Sequence, residues 1–307
     1  GGAAVLQGRR RADVGALVEG IRVQTGPFCP RGAGSEAFAE GSRFAKERLW
    51  HAEIRFRSLV EGPLVLGDGR YLGLGLLAPE PEAFDVLAFH IAGGLAPGAS
   101  PGSVAAALRR AVMARVQAQI GQGRPLPPFF TGHQPDGEPL RSGAHRHLAF
   151  VADLARDRLL VIPPHLLARR YPTTWEREQL GLLAVALDGM NDLRAGAAGR
   201  LRLIGASVHP DRDLLLGTGR VWESASDYRP TRHVKKAAPE VAIVEDVLRE
   251  TRRERLPDPD VDLLDLEVGP RGGLAARLRL RFAINQRGPL LIGRTRHLGG
   301  GLFRLTV

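Results

Sequence analysis

A glycine-rich segment occurs twice in this chain, and this repeat constrains the fold more than any other feature. Residues 62–77 read GPLVLGDGRYLGLGLL and residues 288–303 read GPLLIGRTRHLGGGLF, so an offset of 226 residues (288 minus 62) aligns them without a gap. Alternating apolar and basic stretches precede the copies, HAEIRFRSLV from His51 and ARLRLRFAI from Ala276. Such alternation is typical of a strand with one solvated face. The repeat predicts strand, glycine-rich loop and strand, twice, in two related domains rather than a short-period solenoid.

The rest of the chain predicts alternating strands and helices. After a short helical pattern at 12–20, the order within 85–207 is strand, helix, strand, strand, helix, strand, with helices starting near Ser103 and Thr173. A second round from Gly219 has one predicted helix, and the second glycine segment ends it. We predict an α+β fold of tandem ferredoxin-like βαββαβ domains with glycine-rich loops. The predicted units are residues 1–82, 83–210 and 211–307.

The charge of the chain suggests a polyanionic partner. Its 307 residues carry a formal net charge of +10 at pH 7, with a sequence pI near 10.9. Only three of its 43 basic residues are lysines, so a background preference for arginine is the alternative explanation. No apolar run approaches the roughly 20 residues that span a bilayer, and no signal peptide is evident, so we expect a cytoplasmic protein without a membrane partner. A single cysteine, Cys29, excludes intrachain disulfides and cysteine-based zinc sites.

The glycine-rich segments do not match the usual nucleotide-binding loops. Neither copy contains the GK[ST] of a P-loop, and neither opens a predicted helix as a dinucleotide-binding fingerprint does. Two interpretations remain open. The glycines serve a sharp hairpin that needs positive φ angles, or they let a polynucleotide backbone approach while Arg70 or Arg296 meets its phosphates.

Four motifs carry a resemblance to a known family: GPLVLGDGRYLGLGLLAP, FFTGHQPDGEPLRSGAHRHLAF, VWESASDYRPTRHVKK and GPLLIGRTRHLGGGLFR. Together they resemble the type I-G (formerly I-U) fusion subunit of the RAMP superfamily of CRISPR-associated proteins. The resemblance implies that residues 1–82 are the C-terminal part of a domain that holds the 5′ handle of CRISPR RNA, with its N-terminal half absent. It implies that the remainder is a repeat-cleaving endoribonuclease without a cofactor.

The same resemblance implies partners. These are CRISPR RNA, as the repeat-derived handle and stem-loop, and the backbone and large subunits of a type I effector complex. The product would stay bound in that complex, and contact with target DNA would be indirect.

Metal-independent RNA cleavage needs a base for the 2′-hydroxyl proton, cations for the phosphate and an acid for the leaving 5′-oxygen, and histidine suits the base. His133 follows the first helix in a glycine-containing loop, and related endoribonucleases place their general base near the end of that helix. His145 and His147 share one face of a predicted strand, as base and acid, as RNA contacts or as a structural pair. His233 lies in a basic cluster that suits phosphate or is simply solvated.

The remaining candidates are basic residues and glycines expected to bind RNA. They are Arg70, Gly73, Gly75, Arg232, Lys235, Lys236, Arg296, His297, Gly299, Gly300 and Gly301. We also expect the strand arginines Arg55, Arg57, Arg279 and Arg281 to follow an RNA backbone. The histidines outside the motifs, namely His51, His90 and His209, are expected to be packed or solvated.

Two other function classes remain open at the level of sequence. One is a non-catalytic RNA-binding scaffold in which the histidines are structural and another subunit cleaves. The other is a metalloenzyme with His133, Asp136, His145 and His147 as ligands, although such spacing is common by chance.

Overall fold

A computed structural model of the chain shows a mixed α+β fold with many antiparallel strands and few helices. It describes residues 17–29, 32–57, 60, 63–69, 71, 73–78, 86–133, 147–232, 238–269 and 273–306. Among the helices of these ranges, none combines the length and the apolar character needed to cross a membrane.

The N-terminal part contains two small antiparallel pairs. Strand β1 (Val18–Gln24) pairs with β2 (His51–Phe56), and β3 (Leu64–Val65) pairs with β4 (Leu76–Leu77). Strand β1 begins where the sequence pattern predicted the end of a helix, so that prediction is wrong from Val18 onward.

The N-terminal part is held to a turn in the middle of the chain. The Gln24 side-chain amide donates to the Arg169 carbonyl at 2.7 Å, and the Tyr171 hydroxyl donates to Glu53 at 2.8 Å. The backbone N–H of Tyr171 also donates to the Phe28 carbonyl at 2.6 Å. These bonds attach both β1 and β2 to residues 169–171.

The first five-stranded sheet is antiparallel and has the order β6-β7-β5-β9-β8. Its strands are β5 (Leu87–Leu95), β6 (Ala149–Asp153), β7 (Arg158–Ile162), β8 (Asp192–Arg194) and β9 (Gly199–Ala206). The helices of this part are α1 (Pro101–Ile120), α2 (Pro128–Thr131), α3 (Pro164–Leu167) and α4 (Thr174–Leu187).

Local capping explains where the two long helices of this part begin. The side chain of Ser100 accepts the Ser103 N–H, so α1 starts three residues earlier than a Ser103 cap would place it. The sequence predicted a helix that starts near Thr173, and Thr173 and Glu176 form a reciprocal capping box at the start of α4. Buried apolar residues of α1, among them Leu108, then pack with α4 over one face of the sheet.

The second five-stranded sheet is also antiparallel, with the order β11-β12-β10-β14-β13. Its strands are β10 (Thr218–Ser224), β11 (Asp260–Val268), β12 (Leu274–Arg287), β13 (Leu290–Leu291) and β14 (Leu302–Leu305). One helix, α5 (Pro239–Arg253), packs on it over a core that contains Trp222 and Ile243. In the described residues between β12 and β14, a glycine-rich hairpin occupies the place of a second helix.

In their described residues, the two glycine segments share the same strand register and similar glycine φ angles. The register pairs Leu64 with Leu77 and Leu290 with Phe303, which preserves the 226-residue offset. Three aligned glycine pairs have similar positive φ angles. They are Gly67 and Gly293 (94° and 95°), Gly73 and Gly299 (79° and 77°), and Gly75 and Gly301 (75° and 60°). The prediction of strand, glycine-rich loop and strand, twice, is therefore confirmed.

The two hairpins differ in burial. Leu291, Ile292 and Leu302 of the second copy are buried, because β14 pairs with β10 and the hairpin packs against the first sheet. In the first copy Leu66 and Leu76, the counterparts of Ile292 and Leu302, are 41% and 65% exposed. The second hairpin therefore belongs to the core and the first lies at the surface of the described structure.

A third apolar cluster joins the two large sheets. Leu215, Leu216, Leu291 and Leu302 pack against strands β6 and β7 and against Ala88 of β5, on the sheet face opposite α1 and α4. Beside this cluster, Arg158 of β7 forms an ion pair with Asp213, which precedes β10.

Asp213 gives the junction a pH dependence. Burial by itself would raise the pKa of Asp213, but hydrogen bonds from Arg158 and the Leu215 amide outweigh it and hold that pKa below its ordinary value. A lowered carboxyl pKa contributes stability that is present above the unfolded value and is lost as the pH falls through the folded value.

We therefore expect Asp213→Asn to lower the free energy of unfolding at pH 7 by about 2 kcal/mol, as expected for removing charge-assisted hydrogen bonds. The difference from wild type should start to shrink once the pH falls below about 4, where Asp213 becomes protonated in the unfolded chain. It should disappear at lower pH, where the folded-state carboxyl is protonated as well. Urea unfolding across this pH range checks both points. A difference that stays constant down to pH 2 (about two units below an ordinary carboxyl pKa) would contradict the assignment.

The hairpin backbone predicts a strong effect of a single methyl group. A Cβ added at Gly301 would lie 1.8 Å from the Ile292 carbonyl oxygen, and the φ of +60° is unfavourable for other residues. Gly301→Ala should therefore lower the free energy of unfolding by about 3 kcal/mol. Gly205→Ala is the matched control, because a Cβ there meets nothing within 4 Å and the position has no positive φ. Equal stability of the two variants in urea unfolding would sink this explanation of the glycines.

Candidate functional site

Two histidines from distant parts of the chain stack on each other. The rings of His147 and His297 have centroids 3.6 Å apart and planes inclined by 28°. His147 directly precedes Leu148 and the strand β6, and it is only 8% exposed. His297 lies on the 3₁₀ turn Arg296–Leu298 of the second glycine-rich loop. The stack thus marks the place where this loop meets the first sheet.

Gly132 brings the end of α2 against the same stack. It caps α2 in the left-handed conformation, with φ 74°. A Cβ at this position would lie 2.6 Å from Cδ2 and 2.7 Å from Nε2 of His147. The Nδ1 of His147 lies 2.9 Å from the Leu148 carbonyl oxygen, which fits an N–H that donates to it. Only glycine allows this approach, and His133 is the next residue of the chain.

His133 is exposed and held in one orientation. Its Nδ1 lies 2.9 Å from the Thr131 carbonyl oxygen, and its backbone N–H donates to the Thr131 hydroxyl at 3.1 Å. When Nδ1 donates to that carbonyl, Nε2 retains its lone pair. Arg109 of α1 donates to the same carbonyl at 2.9 Å. The arrangement presents an imidazole acceptor next to a guanidinium, a combination suited to proton transfer beside a phosphate.

Carboxylates on and directly after α5 hold the second glycine-rich loop and the segment that contains Tyr228 beside it. Asp246 accepts hydrogen bonds from the Tyr228 hydroxyl at 2.6 Å and from the Thr231 backbone N–H at 2.8 Å. Burial and the neighbouring Asp246 raise the pKa of Tyr228, so this hydroxyl stays a donor. Glu254, which directly follows α5, forms an ion pair with Arg296 of the loop. The loop is therefore fixed from the side of α5.

Arg296 requires a correction to its expected contact with phosphate. The side chain is 5% exposed, and its charge is neutralised by Glu254. Its Nε also lies 3.3 Å from His297 Nε2. Arg296 therefore orients His297 from within the protein and does not face solvent. Its counterpart Arg70 lies outside the described residues.

The backbone geometry of the hairpins explains why the glycines that were predicted to bind RNA are glycines. Gly75 and Gly301 sit where a Cβ would collide with a carbonyl oxygen, at 1.7 Å and 1.8 Å. Gly73 and Gly299 need positive φ angles, and a Cβ at Gly300 would lie 2.0 Å from the Thr295 hydroxyl. Of the two interpretations of these segments, the sharp hairpin accounts for all five glycines without a ligand.

The motif VWESASDYRPTRHVKK divides into an anchored part and a basic part. The hydroxyl of Ser226 donates to the Gly299 carbonyl at 2.7 Å and accepts the Leu302 N–H at 3.0 Å, so this part shapes the loop. Arg232, which follows the anchor at Thr231, is exposed. The other members of the basic cluster, His233, Lys235 and Lys236, lie outside the described residues.

Two of the strand arginines expected to follow an RNA backbone have carboxylate partners within the second sheet. Arg279 pairs with Glu223 at 3.0 Å, and Arg281 forms an ion pair with Asp262. Both partners lie on the strands next to β12. The two arginine side chains remain 38% and 52% exposed, so their contact with an RNA backbone stays a prediction. Sequence alternation predicts which face a side chain shares, but it does not show what lies opposite on the neighbouring strand.

The remaining histidines separate into two groups. His145, like Asp136 of the metalloenzyme hypothesis, lies outside the described residues. His147 was predicted to lie in a strand, but it precedes the strand β6 of the structure. His165 is buried, and burial lowers its pKa to about 4, so it is neutral and structural. Within the ranges that the structure describes, no group of three or more His, Cys, Asp or Glu residues is placed to hold a metal ion.

Sequence reasoning missed two parts of this site. Arg109 lies in no motif, and only the structure shows that it contacts the Thr131 carbonyl at the end of α2. The contact of His297 with His147 joins residues 150 positions apart, so no local pattern could have indicated it.

No protein-family model matches the chain, and no curated protein matches it either.

Proposed function

We propose that this protein binds CRISPR RNA and cleaves its precursor within the repeat without a metal ion. The motif resemblance supplies the substrate class. The exposed His133 carries the chemical part of the proposal, because its Nδ1 is engaged, its Nε2 is left as an acceptor and Arg109 lies beside it.

We also propose that the two large sheets are tandem ferredoxin-like domains. In chain order, the four principal strands of each sheet are arranged 2-3-1-4, as β6-β7-β5-β9 and as β11-β12-β10-β14. All of these pairs are antiparallel, which supports the assignment. The second domain would depart from the pattern by replacing its second helix with the glycine-rich hairpin. Residues 17–78 would then belong to the handle-binding part.

In the proposed reaction His133 acts as the general base. Its Nε2 takes the proton from a ribose 2′-hydroxyl, and the 2′-oxygen forms a bond to the adjacent phosphorus while the bond from phosphorus to the 5′-oxygen breaks. The products are a 2′,3′-cyclic phosphate and a 5′-hydroxyl. The guanidinium of Arg109 is placed to stabilise the negative charge on the phosphoryl oxygens.

The departing 5′-oxygen needs a proton from a general acid. The buried and stacked His147 is better suited to positioning α2 and His133 than to contacting RNA. His145 and His233 remain the proposed acids.

The proposed setting is an effector complex in the cytoplasm. The product would remain bound, with the backbone and large subunits as protein partners and target DNA as an indirect one. A purely scaffolding subunit is the competing function, and it would bind the repeat without cutting it.

The mechanism predicts a specific loss on the substrate side. A single 2′-deoxy substitution immediately upstream of the scissile phosphate should abolish cleavage, because the nucleophile is gone, while most phosphate contacts and the affinity remain. Gel analysis of a repeat RNA incubated with and without EDTA checks this. Cutting of the deoxy substrate at the same bond, or loss of cutting in EDTA, would require a hydrolytic, metal-dependent route.

The corresponding loss on the protein side comes from His133→Ala. The single-turnover rate should fall by roughly 100-fold or more with nearly unchanged affinity, as expected for removing a general base. His209→Ala is the matched control, since His209 is exposed and remote in sequence from the site. A normal rate for His133→Ala rejects the assigned base. A wild-type protein that shifts the RNA without cutting it rejects the enzyme in favour of the scaffold.

A further inference from the structure

The first sheet leaves half of one face uncovered. Helices α1 and α4 cover one face, and the cluster with Leu291 and Leu302 covers β6 and β7 on the other. Strands β8 and β9 and the adjoining edge of β5 lie beside that cluster. Their side chains on this face are exposed in the described structure.

Strand alternation identifies the side chains of the open half. Leu201 and Leu203 point into the core under α1 and α4, so Arg200, Arg202 and Ile204 point to the open face. The same reasoning places His90 on this face, since Phe89 and Ile91 on either side are core residues.

The register brings these side chains together. His90 lies directly opposite Ile204, which is 57% exposed. On the other side of β9, Arg194 lies opposite Arg200 and Asp192 lies opposite Arg202. We call the set His90, Arg194, Arg200, Arg202 and Ile204 the open sheet face.

The charges on this face are not balanced within it. Asp192 is the facing carboxylate, and it lies 3.2 Å from Arg200, whose side chain is 68% exposed. Arg202 contacts the Ala92 carbonyl only at 3.5 Å, so it retains donors for another acceptor. Two like charges directly opposite each other, as at Arg194 and Arg200, destabilise a sheet. An anion laid over β8 and β9 would offset that cost.

We propose that the open sheet face binds a single-stranded segment of RNA, an inference that rests on the proposed function. Phosphates contact Arg194, Arg200 and Arg202, and one base stacks on the imidazole of His90 beside Ile204. A row of cations next to a planar ring and an apolar neighbour suits an unpaired strand, because unpaired bases expose their faces. A duplex keeps its bases stacked and would use the arginines alone.

The test compares two triple variants that remove the same charge. The first is Arg194→Ala with Arg200→Ala and Arg202→Ala. The control is Arg110→Ala with Arg124→Ala and Arg177→Ala, three exposed arginines outside the open sheet face. The probe is a labelled oligouridine of about 12 nucleotides, and fluorescence anisotropy measures its Kd over a range of salt concentrations.

The face variant should bind at least about tenfold more weakly, and its salt dependence should lose a slope of about 2, near 0.7 for each of three phosphates. The control should stay within about twofold of wild type, because it leaves the face intact. Equal losses in both variants would mean that only overall charge matters, and no loss in the face variant would mean that the face is not used. Either result overturns the proposal.

His90→Ala tests the stacking contact separately. It should weaken oligouridine binding by about fivefold or more without changing the salt slope, and His90→Phe should restore the affinity. An equal loss for duplex DNA and oligouridine in the face variant would instead assign the face to unspecific polyanion binding and overturn the proposal.

These results are separable from the proposed function. If the face variant cuts repeat RNA normally and binds oligouridine as wild type does, the proposed function stands and only the proposal for the open sheet face is rejected. A chain that binds no RNA at all loses both.

Discussion

The site depends on the contact between the second glycine-rich loop and the first sheet. On one side, Glu254, which directly follows α5, forms an ion pair with Arg296 of the loop. Asp246 of α5 holds the neighbouring segment through the Tyr228 hydroxyl. On the other side, a Cβ at Gly299 would lie 3.3 Å from the Phe150 carbonyl of β6, so the loop packs closely on that strand. His297 contacts His147 because the loop is held by the carboxylates on the α5 side and packs on β6 at the same time.

Comparison of the two hairpins distinguishes the role of the glycines in the backbone from the role of each hairpin in packing. Both copies have the same register and the same positive φ angles, so the glycines serve the backbone in each. Their surroundings differ, since the second copy is buried between sheets and the first exposes apolar side chains such as Leu76. A shared backbone motif can thus serve as core in one place and as surface in another.

Much of the fold was predictable because its signals are local. The glycine repeat, the Thr173 capping box and the period-two strands each act within a few residues. The site was less predictable because it is built from distant contacts. The burial of Arg296 by Glu254, the stack of His147 on His297 and the position of Arg109 all require the tertiary arrangement. Sequence position placed His133 in a loop after the first helix, but it missed the helix α2 that lies between them and the Thr131 contact that orients His133.

A double-mutant cycle between His147 and His297 tests the account most directly. The free energies of unfolding of His147→Ala, His297→Ala and the double variant should be non-additive by about 1 kcal/mol, the size expected for stacked aromatic rings in contact. The cycle isolates the pair, because each single variant removes the stack while the carboxylate anchors of α5 remain. Such coupling would support the docking of the second glycine-rich loop on the first sheet. Additive effects within about 0.3 kcal/mol would mean that the rings do not interact, and would contradict the assembly of the site at this junction.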